Sequence, residues 1–493
     1  MTEIVEIICC YKSRSTHRRF RGQARIDIGQ YHRWDTGYKT NRHFIKTVIN
    51  GTDVSWEETT RTIVSKIMSK PNLLTENFDV ITIGAGPGGC TTATLLAQQG
   101  LKTLLLDRTK APTFKIGESL IPGTYWTLRR LGVIEKMKNS HFQKKYSVQF
   151  YGQSGKGSAP FYFYENDPHE SSITWQVLRS EFDQMLLENA IEHGVQAERG
   201  VAVHQILFDG DRAVGVRAKQ ADGEIADLSA QVVVDATGQS ALLSRQMKLG
   251  KNEVKLKNAS IFTHFEDAVR DEGIDEGATL IMHTENKDSW FWYIPLANNI
   301  VSVGVVGAID YLMRDAQAGV PTRTSAGSQQ IFDNQVEKCQ TLKSRIKDAK
   351  QLFPVKVTKD FSYRAAKIAG HGWVLVGDAF GFLDPVYSSG VLLSLRSGEM
   401  AADCIMDAFA TRDFSGSQLG LFRQEFIQGM EAFRKLVYAF YTKEFSFAKF
   451  LKKFPHCKQG IIDILSGNVF KPDVHQIFEP MKTMCPVPED FVW

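Results

Sequence analysis

Three glycines place the tightest constraint on this chain. Phe78-Asp79-Val80-Ile81-Thr82-Ile83 reads as a buried parallel strand that runs into Gly84-Ala85-Gly86-Pro87-Gly88-Gly89, a G-x-G-x-x-G loop. A helix is expected next, from Cys90 to about Gln99. In such a loop the first glycine permits a tight turn, the second lets the backbone approach a pyrophosphate, and the third lets helix and strand pack closely. The helix N-terminus offers free N–H groups and a partial positive charge to phosphates. Gly100 suits the position just past the helix, where positive φ costs glycine little. Leu101 to Asp107 reads as a second strand, and Asp107, 18 residues after Gly89, is placed for ribose hydroxyls. The three elements make a βαβ unit of about 30 residues. The fold class that follows is α/β, with a doubly wound, Rossmann-like sheet built to hold a dinucleotide.

Bulk properties narrow what this unit serves. The 493 residues, 43% hydrophobic and 23% charged, fit a globular protein of roughly two to four domains. No run approaches the ~18–20 apolar residues that span a bilayer, so no transmembrane segment is expected. A signal-peptide pattern is also missing. The net charge is +4, and residues 1–67 hold 12 Lys+Arg against 7 Asp+Glu, so the remainder is close to neutral. A nucleic-acid partner needs a basic patch on the folded body, and none is predicted. Seven cysteines, an odd number without a CxxC pair, point to no metal site and to a reducing cytoplasm. Residues 1–75 include the basic, polar segment Ser13 to Arg21 and lack a sustained helix or strand period. They are expected to be a poorly ordered N-terminal extension, or sequence upstream of a start at Met68.

Further along, Arg179 to His193 reads as a helix, and Gly200 to Val234 as a β-meander with turns at Asp209-Gly210-Asp211 and Asp222-Gly223. Gln231 to Asp235 and Trp373 to Val376 read as buried strands, and Ser389 to about Phe409 as a long helix. The expected organisation is a discontinuous dinucleotide-binding domain over 76–410, an inserted β-rich substrate domain at about 145–178 and 253–345, and a C-terminal helical region over 411–493.

Two later acidic segments select the dinucleotide. Val233-Val234-Asp235-Ala236-Thr237-Gly238 closes one strand, and Val376-Gly377-Asp378-Ala379 closes another. With the glycine loop they resemble the three-part flavin signature of the p-hydroxybenzoate-hydroxylase-like superfamily. That resemblance implies FAD as cofactor, with Asp235 and Gly238 supporting it and Asp378 bonding the ribityl chain. It also places Gly117-Glu118-Ser119 and Arg179 beside the cofactor. No second GxGxxG follows a strand, so the flavin is expected to be reduced from outside, by a separate flavin reductase or by transient docking of NAD(P)H.

Three further segments resemble the flavin-dependent halogenase family. Trp290-Phe291-Trp292-Tyr293-Ile294-Pro295 is similar to its W-x-W-x-I-P motif, and on a strand both tryptophans fall on one face. The resemblance gives Trp290, Trp292 and Pro295 the role of an active-site wall that denies substrate direct access to the flavin. Phe142-Gln143-Lys144-Lys145-Tyr146-Ser147-Val148-Gln149-Phe150 places Lys145 five residues before an aromatic, as the family's essential lysine is. A lysine there holds and directs hypochlorous acid, and burial helps by lowering its pKa. If the segment is a strand, Lys144 and Lys145 face opposite ways, and only one can enter the active site. Asp384-Pro385-Val386-Tyr387-Ser388-Ser389-Gly390-Val391 resembles the family's segment beside flavin and halide ion. Ser389 and Gly390 are the halide candidates, since N–H groups at a loop-to-helix junction suit an anion; serine capping of the helix is the plainer account.

Two departures place the chain within the family. Tyr387 stands where tryptophan halogenases carry glutamate, which makes the match closer to halogenases of phenols, pyrroles or carrier-bound acyl groups. Leu392 stands where several of those carry histidine. The expected activity is halogenation of a small, electron-rich aromatic substrate, free or bound to a carrier protein, by reduced FAD, O2 and chloride or bromide. Two alternatives share the scaffold: a single-component FAD monooxygenase or geranylgeranyl-reductase-like oxidoreductase, and a non-catalytic flavoprotein acting as sensor or partner.

Overall fold

A computed structural model of the chain describes residues 77–220, 223–253, 256–314, 324–359 and 362–490. It also describes a separate two-stranded ribbon in which Val48–Ile49 pairs antiparallel with Thr52–Asp53. The expectation of a poorly ordered extension over 1–75 otherwise lies outside the described residues.

The glycine loop sits where the sequence places it. Strand β1 (Asn77–Ile83) leads into helix α1 (Pro87–Gln98), and strand β2 (Thr103–Asp107) follows, parallel to β1. The helix begins three residues before the expected Cys90, because Pro87 occupies its first turn, where a missing N–H is harmless. Gly100 ends it at φ +81°.

The chain next leaves this sheet for β3 (Gln143–Lys145), β4 (Ser147–Tyr151) and β5 (Thr174–Gln176), with β3 and β5 antiparallel. Helix α2 (Arg179–Glu192) brings it back to β6 (Gln196–Arg199). A meander of β7 (Ala202–Asp209), β8 (Arg212–Lys219) and β9 (Ile225–Asp235) follows. The first sheet has the order β7-β8-β9-β1-β2-β6. β9 shows how sequence and environment match. Its first half alternates exposed and buried residues against antiparallel β8, and its last four residues are all buried where it runs parallel to β1.

The second sheet takes up β10 (Asn258–Glu266), β11 (Thr279–His283), β12 (Ser289–Pro295) and β13 (Ile300–Ala308), in the order β10-β13-β12-β11-β4. One face builds a core from Leu280, Met282, Phe291, Tyr293, Val301, Val303 and Val305 against Ile331 and Phe332 of helix α3 (Ser325–Glu337). Each such side chain contributes about 1.5–3 kcal/mol by leaving water. Because strand side chains alternate, Trp290, Trp292 and Ile294 occupy the other face of β12.

The chain then rejoins the first sheet at β14 (Trp373–Leu375), parallel to β9, and enters helix α4 (Gly390–Thr411). Helices α1 and α4 meet through small residues: a Cβ on Gly398 would lie 2.6 Å from the Gly88 carbonyl oxygen, and one on Gly88 2.9 Å from Ser394 Oγ. Helix α5 (Arg423–Tyr441) and the short helices Phe447–Lys453 and Lys458–Ser466 follow. No helix among the described residues is long and apolar enough to cross a membrane.

Candidate active site

A cavity of about 720 Å³ runs from the glycine loop to the inner face of the second sheet. Gly84 and Gly86 line one end; Trp292, Ile294, Phe262 and Ile281 line the other. The three glycines act by different routes. Gly84 has φ +106°, and a Cβ there would lie 2.4 Å from the Ala236 carbonyl oxygen. Gly89 does not reach the cavity; its Cβ would lie 1.9 Å from the Gly84 carbonyl oxygen, so it serves the contact of helix with strand. At Gly86 a Cβ would meet nothing within 4 Å among the described residues. That open space, beside a helix start that no side chain caps, fits a pyrophosphate.

The acidic residues divide by depth. Asp107 lines the cavity; it accepts the Ala85 N–H at 2.8 Å and the Thr109 N–H at 2.7 Å, which fixes the glycine loop. Asp378 lines the cavity as well, and its carboxylate has no hydrogen-bond partner among the described residues. Burial pushes its pKa up to about 7, against the pull of Arg179 and Lys115. A carboxylate so placed suits the hydroxyls of a ligand. Asp235 departs from the expectation of direct support, because it lies wholly buried behind the wall. It accepts the N–H groups of Thr237 (2.9 Å) and Leu243 (2.8 Å), and so holds the turn whose Thr237 and Gly238 do face the cavity. Arg179 reaches the cavity edge while its guanidinium grips Asp183 through two bonds and the Ile116 carbonyl at 2.6 Å. It therefore shapes the 116–119 loop.

Lys145 and Lys144 point to opposite sides of β3. Lys144 is exposed and Lys145 only 1% so. Lys145 Nζ donates to Ser119 Oγ and to the Leu120 carbonyl, both at 2.9 Å, and lies 5.4 Å from the centre of the Phe163 ring. Burial lowers its pKa to about 7. Lys145 is not part of the cavity wall; Ser119 is, and stands between the two.

Trp290 and Trp292 lie with ring centres 6.3 Å apart, and Trp292 alone of the pair meets the cavity. Pro295 ends the strand, buried and away from the cavity. On the facing loop, Asp384 accepts the Val386 N–H and so caps the turn Pro385–Tyr387. Ser388 then adopts φ +55°, and both Ser388 and Gly390 line the cavity. Ser389 does not; it is buried, and its hydroxyl makes no cap to α4, so neither expectation for it describes its placement.

The FAD binding domain family matches residues 77–396. A pyrrole-2-carbonyl peptidyl-carrier-protein chlorinase of Pseudomonas fluorescens is 28% identical over 426 residues, which cover 82% of this chain and 92% of that protein. The corresponding brominase of Pseudoalteromonas luteoviolacea is 32% identical over 341 residues, 69% of this chain and 80% of that one. The chain belongs to the flavin-dependent halogenases. The solved flavin-dependent brominase Bmp2 superposes with a TM-score of 0.73 at 27% identity, over 83% of this chain and 99% of its own. This halogenase is thus an FAD-dependent oxidoreductase that uses reduced flavin, O2 and chloride or bromide on an electron-rich aromatic, and the bound flavin supplies the two electrons that activate O2.

Several residues of this halogenase's site escape sequence reasoning. His264 is one: its Nε2 meets Glu118, the cavity-lining residue already expected beside the cofactor, at 2.7 Å and ties the 116–119 loop to β10. Thr279 lines the cavity and bonds Ser119. Arg245, Lys356 and Ser388 also reach it. Positive φ at a non-glycine, as at Ser388, has no sequence signature; for Thr279 and His264 the signal is a partner 160 or 146 residues away.

Proposed function

We propose that this halogenase acts on an aromatic acyl group carried as a thioester on a carrier protein, with Lys145 holding and directing the oxidised halogen. Its 28% and 32% identity to the pyrrole-2-carbonyl carrier-protein chlorinase and brominase supports the substrate class. One observation carries the role of Lys145: a fully buried amine with no acidic partner among the described residues, one hydrogen bond behind the cavity wall at Ser119. Such an amine can donate a hydrogen bond to an oxidant or share its lone pair with it. Gly390, at the start of α4, and the neighbouring Ser388 suit a halide ion at the flavin edge. Asp107, Asp378, Arg179, Thr237 and Gly238 suit FAD, and Trp290 and Trp292 separate it from substrate. Reduced flavin comes from a separate reductase, and the five free, buried cysteines among the described residues support a cytoplasmic setting.

The test is reconstitution with a flavin reductase, NADH, FAD, and chloride or bromide, offered either a pyrrolyl-carrier thioester or free aromatics, with products read by mass spectrometry. A halide-dependent mass gain on the carrier-bound acyl group, lost in Lys145→Ala, is expected. Hydroxylation regardless of halide would overturn the reading, and so would halogenation confined to free aromatics.

A further inference from the structure

Lys145 is cut off from solvent, so any change in its charge needs a route for the proton. Among the described residues two polar atoms touch its Nζ, Ser119 Oγ and the Leu120 carbonyl oxygen. A carbonyl only accepts; a hydroxyl accepts and donates, so Ser119 is the exchangeable neighbour. Ser119 Oγ lies 2.8 Å from Thr279 Oγ1. Thr279 Oγ1 in turn accepts from Gln176 Nε2 at 2.8 Å, and the same nitrogen donates to the Gly277 carbonyl at 2.9 Å. The carbonyl fixes the amide's orientation, because the atom facing it must be the nitrogen. With one lone pair of Thr279 taken by Gln176, its hydroxyl proton is left to point at Ser119 or into the cavity, which both hydroxyl residues line. Lys145, Ser119, Thr279 and Gln176 are each 3% exposed or less, so the chain of bonds opens only where Ser119 and Thr279 meet the cavity.

We propose that Ser119 and Thr279 form a two-hydroxyl proton relay between Lys145 and the flavin cavity, with Gln176 orienting Thr279. The relay rests on the reading of Lys145 as the residue that handles the oxidised halogen. One proton leaves the Lys145 ammonium for Ser119 Oγ as the Ser119 proton passes to Thr279 Oγ1 and the Thr279 proton to a water molecule of the cavity, the acceptor. The lysine ends as a neutral amine, both hydroxyls end intact, and the acceptor gains one proton. Burial, with no carboxylate or second cation contributing, holds Lys145 at about 7, where both of its states are populated at neutral pH.

Thr279→Val and Thr279→Ser separate relay from packing. Valine keeps the shape and removes the hydroxyl; serine keeps the hydroxyl and opens a methyl-sized void. Thermal midpoint and FAD affinity are measured beside halogenated product per reduced flavin. The relay predicts that product falls roughly tenfold or more in Thr279→Val and stays near wild type in Thr279→Ser. Stability should fall in both, through the lost bonds to Gln176 and Ser119 in Thr279→Val and through the void in Thr279→Ser, and FAD affinity should hold in both. If Thr279→Ser loses as much product as Thr279→Val, or if Thr279→Val matches wild type, the relay is wrong. A wild-type protein that makes no halide-dependent product would instead overturn the reading of Lys145, and the relay with it.

Discussion

The indole N–H of Trp290 donates to the Tyr441 hydroxyl at 2.8 Å, and that hydroxyl donates to Asp384 Oδ2 at 2.7 Å. One phenol at the end of α5 thereby joins the tryptophan pair of β12 to the loop proposed for halide. Asn258 Nδ2 also donates to Asp384, and burial raises that carboxyl to about 6 while these two bonds pull it down. Tyr441→Phe removes one of them, so Asp384 should hold its proton to higher pH. Losing the buried bonds should destabilise the protein by about 1–3 kcal/mol. Steady-state kinetics should show a raised halide KM whose acid limb moves upward in pH. An unchanged halide KM across pH 6–8 would confine Tyr441 to packing.

Asp378 gives a prediction in which stability and binding move apart. A carboxyl whose folded pKa is raised to about 7 costs stability as pH climbs from its unfolded value, with the full cost reached above 7. Asp378→Asn should therefore raise the flavin-free melting temperature at pH 8 and leave it nearly unchanged at pH 4. The same change should weaken FAD binding by about tenfold, as expected for loss of a hydrogen bond to a charged group. Flavin fluorescence titration checks the second half. Equal FAD affinity would place the ribityl chain away from Asp378.

Lys145 should show the opposite slope. Its folded pKa, near 7, lies below the unfolded one, so the unfolded chain binds more protons between about 7 and 10.5 and stability rises across that window. Lys145→Met removes the titration but leaves the Leu120 carbonyl without its donor. The stability of Lys145→Met relative to wild type should be most favourable below pH 7 and decline toward pH 10, at about 1.4 kcal/mol per displaced pKa unit. Denaturant melts at pH 6, 8 and 9.5 measure it. A flat difference would mean that Lys145 is paired or hydrated.

What the sequence disclosed follows from the range of each interaction. Gly84, Gly86, Gly89 and Asp107 lie within one βαβ unit, so spacing alone places them, and period two puts Trp290 and Trp292 on one face of β12. Depth is a different matter. Asp235 and Ser389 sit in the expected segments but one layer behind the wall, because their neighbours in the chain, Thr237 and Gly238 after Asp235 and Ser388 and Gly390 on either side of Ser389, face the cavity. Tyr441 bonds residues 151 and 57 positions away, and no local pattern encodes such pairs.

The glycine loop offers the sharpest separation of folding from binding. A methyl group at residue 89 would lie 1.9 Å from the Gly84 carbonyl oxygen, a backbone atom that cannot rotate aside. Gly89→Ala should therefore force α1 away from β1, with a loss of about 1–3 kcal/mol, as overpacking typically costs. The same methyl at residue 86 meets no atom of the described residues within 4 Å and projects from a residue with ordinary φ of −83°. Gly86→Ala should fold as well as wild type, or slightly better through a less flexible unfolded chain. Its methyl would instead occupy space at the cavity wall, where the pyrophosphate needs close approach to the backbone. Melting curves of the flavin-free proteins and FAD titrations should thus show Gly89→Ala failing in the first and Gly86→Ala in the second. If Gly86→Ala binds FAD at wild-type affinity, the pyrophosphate lies elsewhere along the loop.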